Sequence, residues 1–225
     1  MRKLKVIALA LCAALVVSCS TKTGTGALAG TGAGALVGGI IGKIAGNTAV
    51  GAAVGAAVGA GTGALIGRHM DKVKAETEAQ LENAKVEEVT DANGLKAVKV
   101  TFDSGILFAL NKADLNATSK NELAKFSTVL KNNSNCSVDI QGYTDSTGND
   151  GINIPLSQQR AEAVSNYLKS CGVSSAQIEK VQGYGSANPV ADNSTAAGQA
   201  QNRRVEVYMY ASQEMIDAAN NGTLQ

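Results

Sequence analysis

The sequence predicts an α+β fold in which one mixed β-sheet carries its helices on one face. Three observations predict it. Runs of alternating apolar and polar residues, such as 137–143, have the spacing of strands, and residues 156–171 place apolar side chains at helical spacing. Glycines and short polar residues separate these segments. After an opening hairpin, their order predicts a β-α-β-α-β-β arrangement.

The N-terminus, residues 1–18, has the pattern of a signal peptide. Three basic residues among the first five precede an apolar run over residues 6–17, which is too short to span a bilayer. Ser18 and Cys19 complete a motif that resembles the bacterial lipobox. That resemblance implies cleavage before Cys19, lipidation of Cys19 and, because Ser20 follows, sorting to the outer membrane. The alternative is an ordinary signal peptide with a chance cysteine.

Residues 19–67 combine the lipidated N-terminus with a glycine/alanine tract of strict period. Glycine recurs every fourth residue over 26–46 and again over 51–67, so each half places a bare stripe along a helix. The register breaks at 47–50, which predicts a helical hairpin. The tract resembles the glycine-zipper segments of some bacterial envelope lipoproteins, which implies membrane association or self-association between Gly26 and Gly67. A flexible linker is the alternative.

Residues 68–83 form a charged, helix-prone segment. Its thin stripe of Met70, Val73, Thr77 and Leu81 suits either a solvated spacer or a partner surface, and the spacer is the favoured interpretation. His69, the single histidine of the chain, has no second metal ligand nearby, so we predict no metal site.

The globular domain is predicted over residues 84–211. Strands at 86–90 and 95–102 flank Asn93-Gly94, a dipeptide that favours a hairpin turn. A helix at 112–131 precedes the strand around Val138, and a second helix follows. A strand at 178–184, a short helix at 197–201 and a strand at 205–210 complete the sheet. Residues 212–225 are predicted to form a polar tail, with a frayed helix as the alternative.

The most informative stretch is the turn from the Val138 strand into the second helix. Asn153 suits the helix N-cap and Pro155 its first turn. Arg160 lies four residues after Leu156 on the buried stripe, where an arginine is rarely left without an anion. Asp145, at the strand exit, is the nearest acid. Two interpretations stay open: an internal Asp145–Arg160 salt bridge, or a pocket for a zwitterion.

Three spaced motifs then suggest a family. They are Gly142-Tyr143-Thr144-Asp145-x-x-Gly148, Asn153-x-x-Leu156-Ser157-x-x-Arg160-Ala161, and Asn202-Arg203-Arg204-Val205-Glu206. In this order, within residues 96–210, they resemble the OmpA-like peptidoglycan-binding domain. The resemblance implies binding of the diaminopimelate in the peptidoglycan stem peptide, with the ligand ammonium at Asp145 and its carboxylate in a forked pair with Arg160.

The same resemblance implies further site residues. Thr144, Asn153, Leu156 and Ala161 would shape the cleft, and Arg203 would assist with the ligand carboxylate. Asp103, which follows a strand, would approach the ligand as a second acid, with loop capping as the alternative.

Two cysteines remain for the mature globular domain, Cys136 before the Val138 strand and Cys171 at the end of the second helix. The crossover helix should return the chain toward the start of the strand, and the compartment outside the inner membrane is oxidising. We therefore predict a Cys136–Cys171 disulfide, with two buried free thiols as the alternative.

Composition limits the function further. A net charge of +1 and the lack of tryptophan argue against a nucleic-acid partner. The single histidine lies outside the domain, so a Ser-His-Asp triad is not available, and no cofactor or catalytic motif is predicted. No acid lies between Met1 and Met70, which excludes a proton-carrying stator helix.

We therefore expect a non-catalytic outer-membrane lipoprotein. It would be lipid-anchored with its binding domain in the periplasm, and it would tether the membrane to peptidoglycan. The alternative is an assembly protein that oligomerises through its glycine zipper.

Overall fold

A computed structural model describes residues 60–103, 107–108 and 111–224 of the 225-residue chain. The signal peptide, the lipidation at Cys19 and most of the predicted glycine-rich hairpin lie outside these residues and stay predictions.

The described residues form helices and strands that are numbered here in chain order. The helices are α1 (Ala60–Gln80), α2 (Ala117–Asn132), α3 (Asp150–Ser170), α4 (Ala196–Asn202) and α5 (Gln213–Asn220). The strands are β1 (Ala84–Thr90), β2 (Lys96–Asp103), β3 (Cys136–Gly142), β4 (Ile178–Gly183) and β5 (Arg204–Ala211).

The strands form one mixed sheet in the order β1-β2-β5-β3-β4, with β3 and β4 parallel and the other neighbours antiparallel. After the β1–β2 hairpin the chain runs β2-α2-β3-α3-β4-β5, with the short α4 before β5. The predicted α+β fold and its β-α-β-α-β-β order are confirmed.

The helices α1, α2, α3 and α5 share one core with one face of the sheet. Val100, Ile140 and Val207, from three neighbouring strands, are fully buried in the same cluster as side chains of all four helices. Phe102 and Phe126 meet edge to face within it, with ring centroids 5.7 Å apart. Burial of this apolar surface is the main term that stabilises the fold.

Helix α1 corrects the expectation of a solvated spacer. The stripe predicted at residues 68–83 is present, but it faces the core, and Met70, Val73 and Thr77 are at most 1% exposed. Ile66, one turn earlier, is also fully buried. The charged residues of this segment occupy the other side of the helix, which explains why its composition suggested solvent. The domain boundary at residue 84 stays a prediction.

The C-terminal segment is a docked helix rather than a frayed tail. Ser212 caps α5 by accepting a hydrogen bond from the backbone N–H of Met215, 3.1 Å away. Met215 and Ile216 are fully buried in the core. The Thr62 hydroxyl donates to Asn220 Oδ1 at 2.7 Å, so α5 is also linked to α1.

Helix α3 begins earlier than predicted. Its N-cap is Asn149, and Pro155 lies inside the helix rather than in its first turn. The prediction that Asn153 caps this helix is therefore wrong. The Asn153 side chain instead reaches back to the loop that precedes the helix.

Two glycines let α3 approach the sheet closely. A Cβ on Gly142 would lie 2.1 Å from the carbonyl oxygen of Ser157, and one on Gly183 would lie 2.2 Å from the backbone nitrogen of Gln158. Gly142 ends β3 and Gly183 ends β4, so helix and strand exits are in direct backbone contact.

The predicted disulfide is wrong, because Cys136 and Cys171 are both free. The Cys136 thiol points at α1, with its Sγ 3.9 Å from Met70 Sδ. Cys171 lies beyond α3, where its carbonyl accepts from Lys131 Nζ at 3.0 Å. Burial raises the pKa of the Cys136 thiol to about 12, so it behaves as a core side chain.

Candidate functional site

The candidate site lies where β3 exits the sheet and α3 begins. Three residues after Gly142 the chain reaches Asp145, and it then turns through Gly148, whose φ of 91° favours glycine. Because Gly142 has no side chain, the first turns of α3 lie directly against this exit. The loop and the helix therefore bring side chains separated in sequence to one place.

Asp145 is buried, with 8% of its surface exposed. Its Oδ1 accepts a hydrogen bond from the Thr147 backbone N–H at 2.8 Å, and its Oδ2 lies 2.6 Å from Arg203 Nη1. Burial on its own raises the pKa of this carboxyl. The hydrogen bonds from Arg203 and Thr147, together with the charge of Arg203, outweigh burial and hold the pKa below its usual range.

Arg160 is more deeply buried, with 3% exposed. Its Nε donates to the Lys112 carbonyl at 3.1 Å, and its guanidinium lies 5.3 Å from the centre of the Phe108 ring. Its Nη1 is buried and has no hydrogen-bond partner. Burial, and then the positive charge of Arg203, lower the pKa of Arg160, while the charge of Asp145 offsets part of this effect.

The ion pair at this site joins Asp145 to Arg203 and not to Arg160. Within the part of the chain that the structure describes, Arg160 has no ion-pair partner. The internal Asp145–Arg160 bridge that the sequence left open is therefore not observed. What the structure shows is a buried, anchored guanidinium with an unused donor, which is an arrangement suited to an anion.

Asn153 and Thr144 shape the loop around Asp145. Asn153 Nδ2 donates to the Thr147 carbonyl at 3.0 Å and to the Asp145 carbonyl at 3.4 Å. The Thr144 backbone N–H donates to the Gly185 carbonyl at 2.8 Å, while the Thr144 hydroxyl is buried without a partner. The loop thus contains a second buried polar atom that has no hydrogen-bond partner among the residues that the structure describes.

The remaining predicted residues are placed differently. Ala161 is fully buried in the core and Leu156 is half-buried. Asp103 is exposed at the end of β2, opposite Arg204 in the sheet register. It lines a cleft of about 580 Å³ together with Lys99 and Glu206. The site therefore has Asp145, Arg203, Asn153 and Thr144 in one contact network, Arg160 beside it, and Asp103 on a neighbouring surface.

The third motif also contributes residues that hold the site in place. Arg204 Nε donates to Glu206 Oε1 at 2.7 Å, and its guanidinium stacks 3.9 Å from the centre of the Tyr143 ring. The Asn202 side chain accepts from the backbone N–H groups of Val190 and Ala191. These contacts fix the loop and strand that carry Arg203.

Two contributors to the site were missed from the sequence. The Phe108 ring and the Lys112 carbonyl both anchor Arg160, from a segment that was interpreted only as a loop and a helix start. A backbone carbonyl leaves no residue-type signal, so only the fold could reveal it.

Comparison with known proteins agrees with this geometry. Residues 107–203 match the OmpA family, and residues 1–71 match the YMGG-like Gly-zipper family. Residues 107–203 form an OmpA-like domain. Both resemblances that the motifs suggested are confirmed, and the OmpA-like match contains Asp145, Arg160 and Arg203.

Three curated relatives match about half of this chain. The probable lipoprotein YiaD of Escherichia coli strain K12 is 47% identical over 108 residues, which cover 48% of this chain and 46% of YiaD. The peptidoglycan-binding protein ArfA of Mycobacterium tuberculosis is 43% identical over 111 residues, covering 49% of this chain and 34% of ArfA. The outer-membrane lipoprotein YfiB of Pseudomonas aeruginosa is 41% identical over 110 residues, which cover 49% of this chain and 65% of YfiB. Each match spans less than two thirds of the relative.

Neither a membrane-spanning helix nor a metal-binding cluster occurs among residues 60–103, 107–108 and 111–224. No helix there is long and apolar enough to cross a bilayer, and no group of three or more potential ligands could hold a metal ion.

Proposed function

We propose that this protein is a non-catalytic outer-membrane lipoprotein that binds peptidoglycan through the diaminopimelate of the stem peptide and tethers the membrane to the cell wall. The observation that carries the proposal is the buried Arg160 guanidinium, which has an unused Nη1 donor and lies near Asp145. The OmpA-like domain and the names of ArfA and YfiB support it.

The free end of diaminopimelate carries one ammonium and one carboxylate on the same carbon. A carboxylate that approached Arg160 would supply the missing anion and accept a charge-assisted hydrogen bond from Nη1. The ligand ammonium would then reach Asp145, which is ionised at neutral pH because its pKa is lowered. A lysine side chain offers only the ammonium, so it would leave Arg160 unsatisfied.

The other residues have supporting roles in this proposal. Asn153 would keep the Asp145 loop in place, and the Thr144 hydroxyl would bond to the ligand. Leu156, which is half-buried, would form the apolar side of the cleft, whereas Ala161 is fully buried in the core and would not contact the ligand. Asp103 would contact the ligand only where the glycan or the rest of the stem peptide extends toward β2.

Membrane attachment is proposed from the sequence and the relatives. Cys19 ends a lipobox-like motif, and several acyl chains on one cysteine give durable anchoring because each buried methylene contributes ~0.8 kcal/mol. YiaD and YfiB are both named lipoproteins. This arrangement would place the binding domain in the periplasm and requires no cofactor or catalysis.

Oligomeric assembly through the glycine zipper is a second candidate, favoured by the YMGG-like match over residues 1–71. Gly63 and Gly67, the last two glycines of the repeat, lie in α1. A Cβ at either position would meet nothing closer than 3.6 Å in the domain. The fold therefore does not require glycine at these positions, although Gly67 is buried beside Lys96 and is not itself open to a partner.

Substitution of Arg160 tests the proposed function. Calorimetric titration of the full-length protein in detergent with a diaminopimelate tripeptide should show saturable binding, and the lysine tripeptide should not bind. Arg160→Ala should lose roughly 2–5 kcal/mol of binding free energy. Arg160→Lys should also fail to bind the diaminopimelate tripeptide, because an ammonium keeps the charge but cannot form the two parallel hydrogen bonds of a guanidinium.

The matched control is Arg68→Ala, which removes an exposed arginine on α1 and should bind normally. Thermal unfolding of each variant shows whether the fold persists. Normal binding by the folded Arg160→Ala protein would contradict the proposal.

A further inference from the structure

Asp145, the group proposed to receive the ligand ammonium, already holds a cation of the protein itself. Arg203 Nη1 lies 2.6 Å from Asp145 Oδ2. Resting on the proposed function, we infer that Arg203 is an internal substitute for the ligand ammonium: it occupies Asp145 in the free protein, and the ligand amine displaces it. Arg203 would thus set how strongly the site distinguishes ligands with and without the amine.

The two arginines of the site differ in how firmly they are held. Arg160 is 3% exposed, donates to the Lys112 carbonyl and lies against the Phe108 ring, so it stays in place when a ligand arrives. The Arg203 side chain is 31% exposed, and its guanidinium is held by the ion pair with Asp145. Its guanidinium can therefore turn into solvent, where it is hydrated, and the Asp145 carboxylate that it leaves then pairs with the ligand ammonium.

The Asp145 carboxylate is fixed independently of Arg203. Its Oδ1 accepts from the Thr147 backbone N–H, and Asn153 ties the carbonyl groups of Asp145 and Thr147 to α3. When Arg203 leaves, the carboxylate stays oriented toward the site. An ammonium of the ligand can then take the Oδ2 position that Arg203 has vacated.

The charges define the order of recognition. While Arg203 neutralises Asp145, the uncompensated charge of this cluster is Arg160, so the free site attracts a carboxylate first. Recognition of the amine then exchanges one ion pair for another at Asp145, and the net gain is small. The site should therefore tolerate loss of the ligand amine much better than loss of the ligand carboxylate.

Three stem tripeptides separate these contributions. One ends in diaminopimelate and carries both groups. A second ends in 2-aminopimelate, which keeps the terminal carboxylate but lacks the amine beside it. The third ends in lysine, which keeps the amine but lacks the carboxylate. Each is titrated into the full-length protein in detergent, as wild type, Arg203→Gln and Arg203→Lys.

Wild type should bind the diaminopimelate and 2-aminopimelate peptides with dissociation constants within about fivefold of each other, since a partly exposed ion pair is exchanged for another. Arg203→Gln should bind the diaminopimelate peptide about two- to fivefold more tightly, because the competitor is gone. Its preference for the amine should rise to about tenfold or more, because Asp145 then has no other cation. Arg203→Lys should behave as wild type.

The control is Arg68→Gln, which changes the net charge equally on an exposed part of α1 and should leave all three affinities unchanged. If Arg203→Gln weakens both carboxylate ligands by the same factor, Arg203 contacts the ligand carboxylate and the inference is overturned while the proposed function stands. If the wild-type protein does not bind the 2-aminopimelate peptide, the inference is also overturned, and this test requires no variant. Failure of wild type to bind the diaminopimelate peptide would overturn the proposed function itself.

Discussion

At the scale of single residues, the candidate site contains a buried cation, Arg160, that has no ion-pair partner among the described residues. An isolated buried charge is costly to keep in a stable fold. The Lys112 carbonyl, the Phe108 ring and the charge of Asp145 compensate Arg160 in part. A guanidinium cannot escape this cost by losing its proton. A role in binding an anionic ligand explains the buried Arg160 more simply than a contribution to the stability of the fold does.

The ionisation of Asp145 predicts how binding depends on pH. Its folded-state pKa lies below the ordinary value of 3.8, so the stabilisation from its ion pair is present above that value and is lost as pH falls through the folded-state pKa. Affinity for the diaminopimelate tripeptide should be constant between about pH 7 and pH 5 and should fall below about pH 4. Titration calorimetry across this range measures it.

Asp145→Asn is the comparison for this pH profile. It should bind the tripeptide weakly at neutral pH, since an amide cannot pair with the ammonium. A marked loss of affinity in wild type between pH 7 and pH 5 would show that another group controls binding.

The sequence predicted the residues of this site better than their partners. The strand exit and the helical stripe indicated that Asp145 and Arg160 lie near each other. They could not show which arginine binds Asp145, because Arg203 is 58 residues away in sequence and the choice depends on side-chain directions. Helical periodicity placed Arg160 on the buried face of its helix, so its burial could be predicted. Periodicity does not show which groups pack against that face, so the contacts of Arg160 could not be predicted.

At the scale of elements, the contact between α3 and the ends of β3 and β4 positions Arg160. Gly142→Ala should destabilise the domain by about 1–3 kcal/mol, because its Cβ would lie 2.1 Å from the Ser157 carbonyl oxygen and α3 would have to move. Ligand affinity should fall with it, since the same movement displaces Arg160. Urea unfolding measures the stability, and titration measures the affinity.

Gly67→Ala is the matched control, because its Cβ would meet Lys96 Cδ at 3.6 Å, an ordinary contact. This substitution should stabilise α1 by up to ~1 kcal/mol through helix propensity. Equal effects of the two substitutions on stability would refute the role assigned to close packing at Gly142.

The elements that the sequence misjudged are those whose environment only tertiary packing decides. The stripe of Met70 and Val73 was correctly assigned to one side of a helix, but a thin stripe fits a partner surface as well as a core. The same helix accounts for the missing disulfide, since Cys136 lies against Met70 of α1. Helix α5 is eight residues long, so its order depends on burial of Met215 and Ile216 rather than on its own propensity.

At the scale of the whole molecule, the burial of α1 shortens the segment that would separate the proposed lipid anchor at Cys19 from the proposed binding domain. The globular core already includes Ile66, so a connecting chain from Cys19 would reach packed structure by residue 66. A chain of about 40 residues after Cys19 extends to at most ~140 Å, and it is much shorter when helical. The proposed tethering would therefore depend on a membrane anchor and a wall-binding site joined by a chain of limited length.

The two ends should be separable by substitution. In fractionated cells, wild type should be recovered with both the outer membrane and the purified cell wall. Cys19→Ser should no longer be recovered with the outer membrane, because the acyl chains are absent. It should still be recovered with the cell wall, because the Arg160 site is intact. Arg160→Ala should show the reverse, and the double variant should be recovered with neither. Recovery of Arg160→Ala with the wall would instead assign wall attachment to the glycine-rich segment or to a partner, and would leave the OmpA-like domain without the tethering role proposed here.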